Sequence, residues 1–202
     1  MKVIVLTKSS KNQGFCVAGI DSGSNSFVRL VSNDDPRSNA IPQWCMEDVN
    51  VLDVIDVTAI RRVPLFCQQE NVEVQLAHWK RIGSVSMNDL ERKVNNTNPF
   101  IFENNCPYLD EECAQRLSYS LMMVRVSNLS LTRSEYGKTK ANFCYNGIQY
   151  SSMSVTDPEF FEFGDQNSID NAILVVSIPN TGHTSDRYSN RCYKFVSKIF
   201  IV

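Results

Sequence analysis

The chain has 202 residues, 43% of them hydrophobic, and it carries 20 basic and 22 acidic side chains for a net charge of −2. This length accommodates one large domain or two small ones, each with its own core. The near-neutral balance excludes a global positive field that would attract nucleic acid to the whole surface. No stretch approaches the roughly 20 apolar residues that a membrane-spanning helix needs, so we expect no membrane partner.

The start of the chain and its cysteines indicate the compartment. The first apolar run is only four residues long and charged residues follow it, which is not the pattern of a secretory signal. The seven cysteines are odd in number, and no two are spaced like the thiolate pairs of a zinc ribbon. We interpret them as small buried hydrophobes and expect a cytoplasmic protein without a metal site.

Short strands separated by turns are predicted along the first part of the chain. Clusters of β-branched and other apolar residues between polar loops favour strands at residues 3–7, 14–20, 26–32, 49–57 and 71–76. The loops between them are rich in Gly, Ser, Asn, Asp and Pro, which interrupt regular structure. This succession predicts a small β domain.

The middle of the chain changes character and predicts two short helices. Ser86 followed by Asp89 has the spacing of a helix N-cap and its capping partner, and the helix should run to about residue 94. Pro107 is placed to open a second helix, with the acidic residues 110–112 in its first turn, where the helix dipole favours them. We interpret this Asn-rich stretch as the connection between two β units.

The last hundred residues contain the strongest turn signal. Asn146-Gly147 tolerates positive φ at both positions and therefore predicts a two-residue hairpin between strand-like flanks. Strand alternation places four large side chains on one face, which we predict to be core because a hairpin must bury one face: Phe143, Tyr145, Ile148 and Tyr150. Further strands are predicted at residues 121–126, 172–178 and 192–202.

The sequence offers no positive sign of an enzyme. Asp157-Pro158 invites a catalytic interpretation, but Asp at an N-cap with Pro at the first helical position is the signature of a helix start. His78 and His183 are the only histidines, and no nucleophile motif surrounds them. The eight glycines are scattered and make no phosphate-cradling motif. We therefore predict no catalytic residues and no cofactor.

Three stretches resemble the bacterial dual OB-containing domain family. They are the opening VLTKSSK…GFCVAGID…SFVRLVS, the bridge NVLDVIDV…QQENVEVQ and the closing FCYNGIQYSSMSVTDPEFF…ILVVSIPNT…NRCYKFVSKIFIV. The resemblance implies a mainly β protein with two OB-like, small Greek-key barrels in tandem and short helices in the connecting segment. It implies barrels at residues 1–85 and 119–202 joined by residues 86–118, and it brings no reaction or substrate. Alternation alone equally allows a sandwich or one larger barrel.

An OB barrel binds single strands with basic side chains that follow the phosphates and aromatic side chains that stack on bases. The candidate residues are Lys8, Lys11 and Arg29 in the first barrel and Arg191, Tyr193 and Lys194 in the second. Arg29 alternates with Phe27 and Val31, which is compatible with an open binding face or with a strand edge. The resulting hypothesis is a non-catalytic module for single-stranded nucleic acid or nucleotides.

The alternative function is a protein-interaction module. Residues 156–172 carry five acidic side chains and no basic one, whereas residues 114–152 carry five basic side chains and one acidic one. A protein partner would dock on the acidic segment or on a free strand edge. Two ordinary solvated faces explain the same charges.

Overall fold

The computed structural model describes residues 1–11, 14–33, 39–95, 97–161, 166–180, 183–185 and 188–202. No helix within these ranges combines the length and the apolar character required to cross a bilayer. The acidic segment at 156–172 lies partly outside the described residues.

The first part of the chain forms a single curled sheet. Its strands are β1 (Lys2–Lys11), β2 (Gly14–Asp21), β3 (Ser26–Val31), β4 (Ile41–Pro42), β5 (Asp53–Asp56), β6 (Ala59–Arg62), β7 (Asn71–Val74) and β8 (Arg81–Ser84). Neighbouring strands follow the order β6-β7-β3-β2-β1-β5-β8, and β4 lies beside β2. A short 3-10 helix (Gln43–Met46) follows β4.

The strands β5 and β6 are the two halves of one interrupted strand. Only residues 57 and 58 separate them, and β5 pairs with β1 whereas β6 pairs with β7. The Val57 amide donates to the Met1 carbonyl at 2.9 Å, and the Gln75 amide donates to the Thr58 carbonyl at 2.9 Å. Pairing to both neighbours thus continues through the junction. The β5–β6 segment therefore links β1 to β7, which closes β1, β2, β3 and β7 into a ring and leaves β8 at an edge.

The connecting segment contains short elements. They are α1 (Met87–Leu90), a 3-10 turn (Glu91–Lys93), β9 (Tyr108–Asp110) and α2 (Glu111–Gln115). The capping pair of α1 is confirmed, because the Ser86 amide donates to Asp89 Oδ2 at 2.7 Å. The predicted helix start at Pro107 is wrong: the next three residues form β9, and α2 begins only after Asp110.

The last part of the chain forms a closed barrel with a small sheet beside it. The strands are β10 (Leu121–Arg133), β11 (Thr139–Tyr145), β12 (Ile148–Val155), β13 (Gln166–Ser177), β14 (His183–Ser185), β15 (Tyr188–Tyr193) and β16 (Phe195–Ile201). The barrel order is β10-β11-β12-β16-β13, and β14-β15-β9 make the small sheet. Pairing of β9 with β15 explains why a strand replaces the expected helix turn after Pro107.

The two units share one connectivity. In each, three strands form an antiparallel meander, and the third strand pairs in parallel with the last strand, as β3 does with β7 and β12 with β16. The fourth strand lies between the last strand and the first, as β13 does between β16 and β10. This is the five-stranded Greek-key connectivity of an OB fold, and the predicted fold class is confirmed. The predicted domain boundaries stay a prediction.

The predicted hairpin is confirmed in its register. Tyr145 faces Ile148 and Phe143 faces Tyr150 across β11 and β12. Phe143, Tyr145 and Tyr150 are fully buried in the core of the second barrel. Farther along the hairpin the register shifts at Ser152, whose φ is 58° and whose amide donates to Asn142 Oδ1 at 2.9 Å. This bulge bends the strand and changes the direction in which its outward side chains point.

The barrels pack together through an apolar cluster on their outer surfaces. Leu6 on β1 and Ile20 on β2 point out of the first barrel, whereas Val5 and Val17 point into its core. The second barrel contributes Met123, Ile173, Val175 and Phe200 from β10, β13 and β16, and the connecting segment adds Leu90 and Val94. The outer side of β1 to β3 is therefore covered by the second barrel.

Candidate nucleic-acid interface

The structure separates the six side chains that the sequence predicted as binding residues. Lys8 Nζ donates to the carbonyls of Met46 at 2.7 Å and Val49 at 3.1 Å, and burial lowers the pKa of Lys8. Its ammonium also lies 4.9 Å from the centre of the Phe15 ring. Lys8 is thus held by its own barrel, in a groove that also includes Lys198 of the second barrel.

Arg29 lies neither on an open binding face nor at a strand edge, because it is buried between the barrels with 4% exposure. Its Nη2 donates to Ser120 Oγ at 2.9 Å, and it forms an ion pair with Glu70 at 3.6 Å. The Ser120 hydroxyl in turn donates to Glu70. Lys11 lines the same cavity between the barrels as Arg29. Neither residue shares a surface with the candidates of the second barrel.

Lys194 is fully buried, with 0% exposure. Its ammonium donates to the Ile101 carbonyl at 2.8 Å, the Asn104 carbonyl at 2.6 Å and Asn104 Oδ1 at 2.9 Å. Burial lowers the pKa of Lys194 to about 7, while Cys106 and Glu103 act in the opposite direction. These hydrogen bonds hold residues 101–104 against the second barrel. The Lys194 side chain therefore has a structural role, and its ammonium is not accessible to a phosphate.

Arg191 and Tyr193 lie together on β15, where the small sheet meets the barrel. The Arg191 guanidinium lies 4.0 Å from the centre of the Tyr108 ring, and the Tyr193 ring meets the same ring edge-on at 6.0 Å. Tyr108 is the β9 residue directly opposite Tyr193. A strand pair of the small sheet therefore positions both side chains beside an aromatic neighbour.

Both residues line a cleft of about 740 Å³ on the second barrel. Its walls come from the loop between β10 and β11, the outer side of β11 and β12, and the start of β16. Pro179 and β15 of the small sheet complete them. The lining residues are Ser134, Glu135, Tyr136, Lys138, Lys140, Ser154, Pro179, Arg191, Tyr193 and Phe195. Three of them are cations, three are aromatic and one is acidic.

The cleft contains side chains that the sequence hypothesis missed. Tyr136, in the loop between β10 and β11, is 81% exposed, and Lys138 is exposed two residues further on. Lys140 Nζ donates to Ser154 Oγ at 2.8 Å, and burial together with Lys138 lowers the pKa of Lys140. The excess of basic residues at 114–152 was the available signal, but charge counts do not say which side chains meet across a fold.

The acidic alternative surface is divided by the fold. Asp157 is buried, and its carboxylate accepts the Ile199 amide at 3.0 Å and lies 3.3 Å from Lys198 Nζ. Burial raises the pKa of Asp157 despite these partners. It also accepts the Glu159 amide at the start of a 3-10 helix (Pro158–Phe160), which confirms the predicted helix start. Glu162 and Asp165 lie outside the described residues.

The family assignment follows from the whole chain. The model of the dual OB-containing domain family matches residues 1–199. The protein belongs to this family. No curated protein matches the chain. The two barrels are the two OB domains of the family description, and the protein is an OB-fold binding module.

The cleft occupies the place where OB folds take their ligands. That place is the face of the second and third strands, flanked by the loops that connect strands 1–2 and 4–5. In the second barrel of this family member those parts are β11, β12, the loop at residues 134–138 and the segment between β13 and β16. All four contribute to the cleft. Within the described residues, no group of three His, Cys, Asp or Glu side chains is arranged to hold a metal ion.

Proposed function

We propose that this protein binds single-stranded nucleic acid in the cleft of its second barrel. The observation that carries the proposal is the coincidence of this cleft with the ligand face of an OB fold. Arg191 and Tyr193 retain the roles that the sequence suggested for them, and Lys138, Lys140 and Tyr136 join them.

The charges of the cleft support a polyanionic ligand. Lys138, Lys140 and Arg191 are opposed by Glu135 alone among the described lining residues. Few phosphates can be neutralised by three cations, so binding should be modest in strength and sensitive to salt. The overall charge of −2 adds no attraction from the rest of the molecule.

The aromatic side chains support an unpaired strand over a duplex. Among the residues that line the cleft, Tyr136 is exposed, and Tyr193 and Phe195 are half-buried. Bases stack on such rings only when they are not paired within a double helix, and stacking tolerates any base sequence. The outer side of β11 and β12 contributes the polar side chains Lys140 and Ser154 to the cleft.

The test is fluorescence polarisation with labelled single-stranded DNA, single-stranded RNA and duplex DNA at about 50 and about 200 mM salt. We expect both single strands to bind more tightly than the duplex, with affinity falling steeply as salt rises. Tyr136→Ala should weaken binding about tenfold, because one stacking platform is lost. Lys138→Ala should weaken binding less and reduce the salt dependence by about one phosphate contact.

Lys80→Ala is the matched control, because Lys80 is exposed on the first barrel and its removal changes the net charge equally. It should bind the single strand like the unaltered protein. Absence of binding at low salt would refute the proposal and favour docking of a protein partner, with the open edge of β8 as the first surface to examine.

A further inference from the structure

A second cavity lies between the two barrels and has about 230 Å³ of space. The first barrel contributes the outer side of β1 to β3 and Gln68, and the second contributes the end of β12, the end of β13 and the residues that follow it. The lining residues are Ser9, Ser10, Lys11, Cys16, Arg29, Gln68, Thr156, Ser177, Ile178, Pro179, Asn180 and Phe195. In the first barrel this position corresponds to the ligand face that the second barrel uses in its open cleft.

The cavity combines two cations with several hydroxyl groups. Lys11 and Arg29 supply the positive charge, and the hydroxyls come from Ser9, Ser10 and Thr156, with that of Ser177 paired to Ser197 at 2.6 Å. No acidic side chain lines the cavity within the described ranges. Burial lowers the pKa of Lys11, Cys16 acts in the opposite direction, and the positive charge of Arg29 lowers the pKa as well. Both cations line the same cavity.

Arg29 has hydrogen-bonding capacity that the protein leaves unused. Its Nη1 donates to Cys16 Sγ at 3.0 Å and its Nη2 donates to Ser120, but its Nε has no partner among the described residues. An unsatisfied buried donor is costly unless a ligand or water completes it. The partner carboxylate of Glu70 lines a different groove, on the side of Tyr119, and does not line this cavity.

We propose that the cavity between the barrels binds a phosphate monoester. A phosphate presents several acceptor oxygens at once, which suits a guanidinium, an ammonium and neighbouring hydroxyls better than a single carboxylate does. The space exceeds that of a phosphate group, and the apolar side chains Ile178, Pro179 and Phe195 provide a wall for an attached organic group. Binding here would bridge the two barrels.

Two sources can supply such a group, and the geometry connects them. Pro179 and Phe195 line both this cavity and the cleft of the second barrel. A small free phosphate monoester could enter alone, or the terminal phosphate of a strand in the cleft could reach past these two residues. The second source rests on the proposed function, whereas the first does not.

The first experiment is calorimetric titration of the full chain with inorganic phosphate and with adenosine 5′-monophosphate, at constant ionic strength. Both should bind and should raise the melting temperature, because a ligand of the folded state stabilises it. Lys11→Gln should weaken both about tenfold through loss of one charge-assisted hydrogen bond. Lys2→Gln, which removes an exposed lysine from the same strand, should have no effect.

Thr156→Val provides a variant on the other barrel that keeps the size of the side chain. It should weaken the binding of inorganic phosphate severalfold, because a hydroxyl donor of the cavity is lost. Arg29 is not used as the main variant, since its replacement removes contacts that hold the barrels together. Failure of both small ligands to bind, or equal binding by Lys11→Gln, would overturn the assignment to free monoesters.

The second experiment separates the sources. The polarisation assay is repeated with single strands that carry a terminal phosphate at the 5′ or 3′ end or at neither. A preference of about tenfold for one phosphorylated strand, lost in Lys11→Gln, would assign the cavity to a strand terminus. Strands that bind without such a preference, combined with no binding of inorganic phosphate, would refute the phosphate site and leave the proposed function intact.

Discussion

The two barrels share a connectivity, but the outer side of their second and third strands is covered in one barrel and exposed in the other. In the first barrel the outer side of the second and third strands is covered, and Ile20 and Arg29 are 1% and 4% exposed there. In the second barrel the corresponding side of β11 and β12 carries Lys140, Asn142 and Cys144, all of which reach solvent. In the first barrel this face thus packs against the second barrel around the enclosed cavity, whereas in the second barrel it is open.

This difference shows that two barrels of one connectivity can expose different faces. Function resides in the particular side chains of a face, and the same strand positions serve packing when they are apolar. The first face joins the apolar Ile20 and Phe27 to a buried ion pair, which suits a contact that is always made. The second face is polar and is crossed by a bulge at Ser152.

The largest expected effect comes from placing one charge on each face. Ile20→Asp buries a carboxylate without a partner at the barrel interface and should destabilise the protein by about 4 kcal/mol. Cys144→Asp places the same group at an outward position of the equivalent strand and should change stability by less than about 0.5 kcal/mol. Urea unfolding of both variants measures the contrast. Similar losses from the two variants would mean that the faces do not differ as described.

The ion pair of the interface should be the next most sensitive feature. Arg29→Met leaves Glu70 as a buried charge without its cation and should cost about 3 kcal/mol in the free energy of unfolding. The double variant Arg29→Met with Glu70→Gln should recover part of that loss, because the unpaired charge is removed. Equilibrium denaturation of these two variants and of Glu70→Gln alone provides the test, and a loss in the double variant equal to the sum of the two single losses would contradict a direct coupling.

The buried Lys194 of the second barrel should make the free energy of unfolding depend on pH. Its pKa is about 7 in the folded state and 10.5 as the ordinary value, so between these the unfolded chain binds more protons. The contribution of Lys194 to stability therefore increases with pH across this window, by at most about 1.4 kcal/mol per unit. The unaltered protein should gain stability relative to Lys194→Met between about pH 7.5 and 9.5.

The control for this measurement is Lys2→Met, which removes an exposed lysine. It removes the same positive charge from an exposed position, so comparison with it isolates the effect of burying the ammonium. A difference between Lys194→Met and the unaltered protein that does not change with pH would contradict the lowered pKa of Lys194.

The smallest effect is expected on the open face itself. Asn142→Ala removes the acceptor of the Ser152 amide in the bulge and should cost about 1 kcal/mol. Asn142→Asp keeps an acceptor at that position and should retain most of the stability. Thermal unfolding distinguishes the two, and equal losses would indicate that the bulge does not depend on this hydrogen bond.

Local features of the chain were predictable from sequence, because neighbouring residues determine them. The hairpin at Asn146-Gly147 and the capping pair of Ser86 and Asp89 follow from turn and cap chemistry within a few residues. The start of α2 was misplaced because β9 is fixed by pairing with β15, about eighty residues away in the chain.

The candidate site was predictable only in part, for the same reason. Arg191 and Tyr193 lie two residues apart in one strand and line one cleft, and their role in binding stays a prediction. Arg29 and Lys194 look like surface cations in the sequence, but their partners Ser120, Glu70 and Asn104 come from distant segments. Burial of a charged side chain depends on such long-range contacts, which composition and spacing do not contain.

The covered face of the first barrel has a consequence for biosynthesis. Leu6 and Ile20 are made early, whereas Met123, Ile173 and Phe200, which cover them, leave the ribosome about a hundred residues later or more. During that interval the nascent first barrel presents an apolar surface next to an arginine that lacks its hydroxyl partner. Such a surface is a binding site for chaperones and a starting point for aggregation. The interval between the two halves is therefore the stage of synthesis at which this protein is most vulnerable.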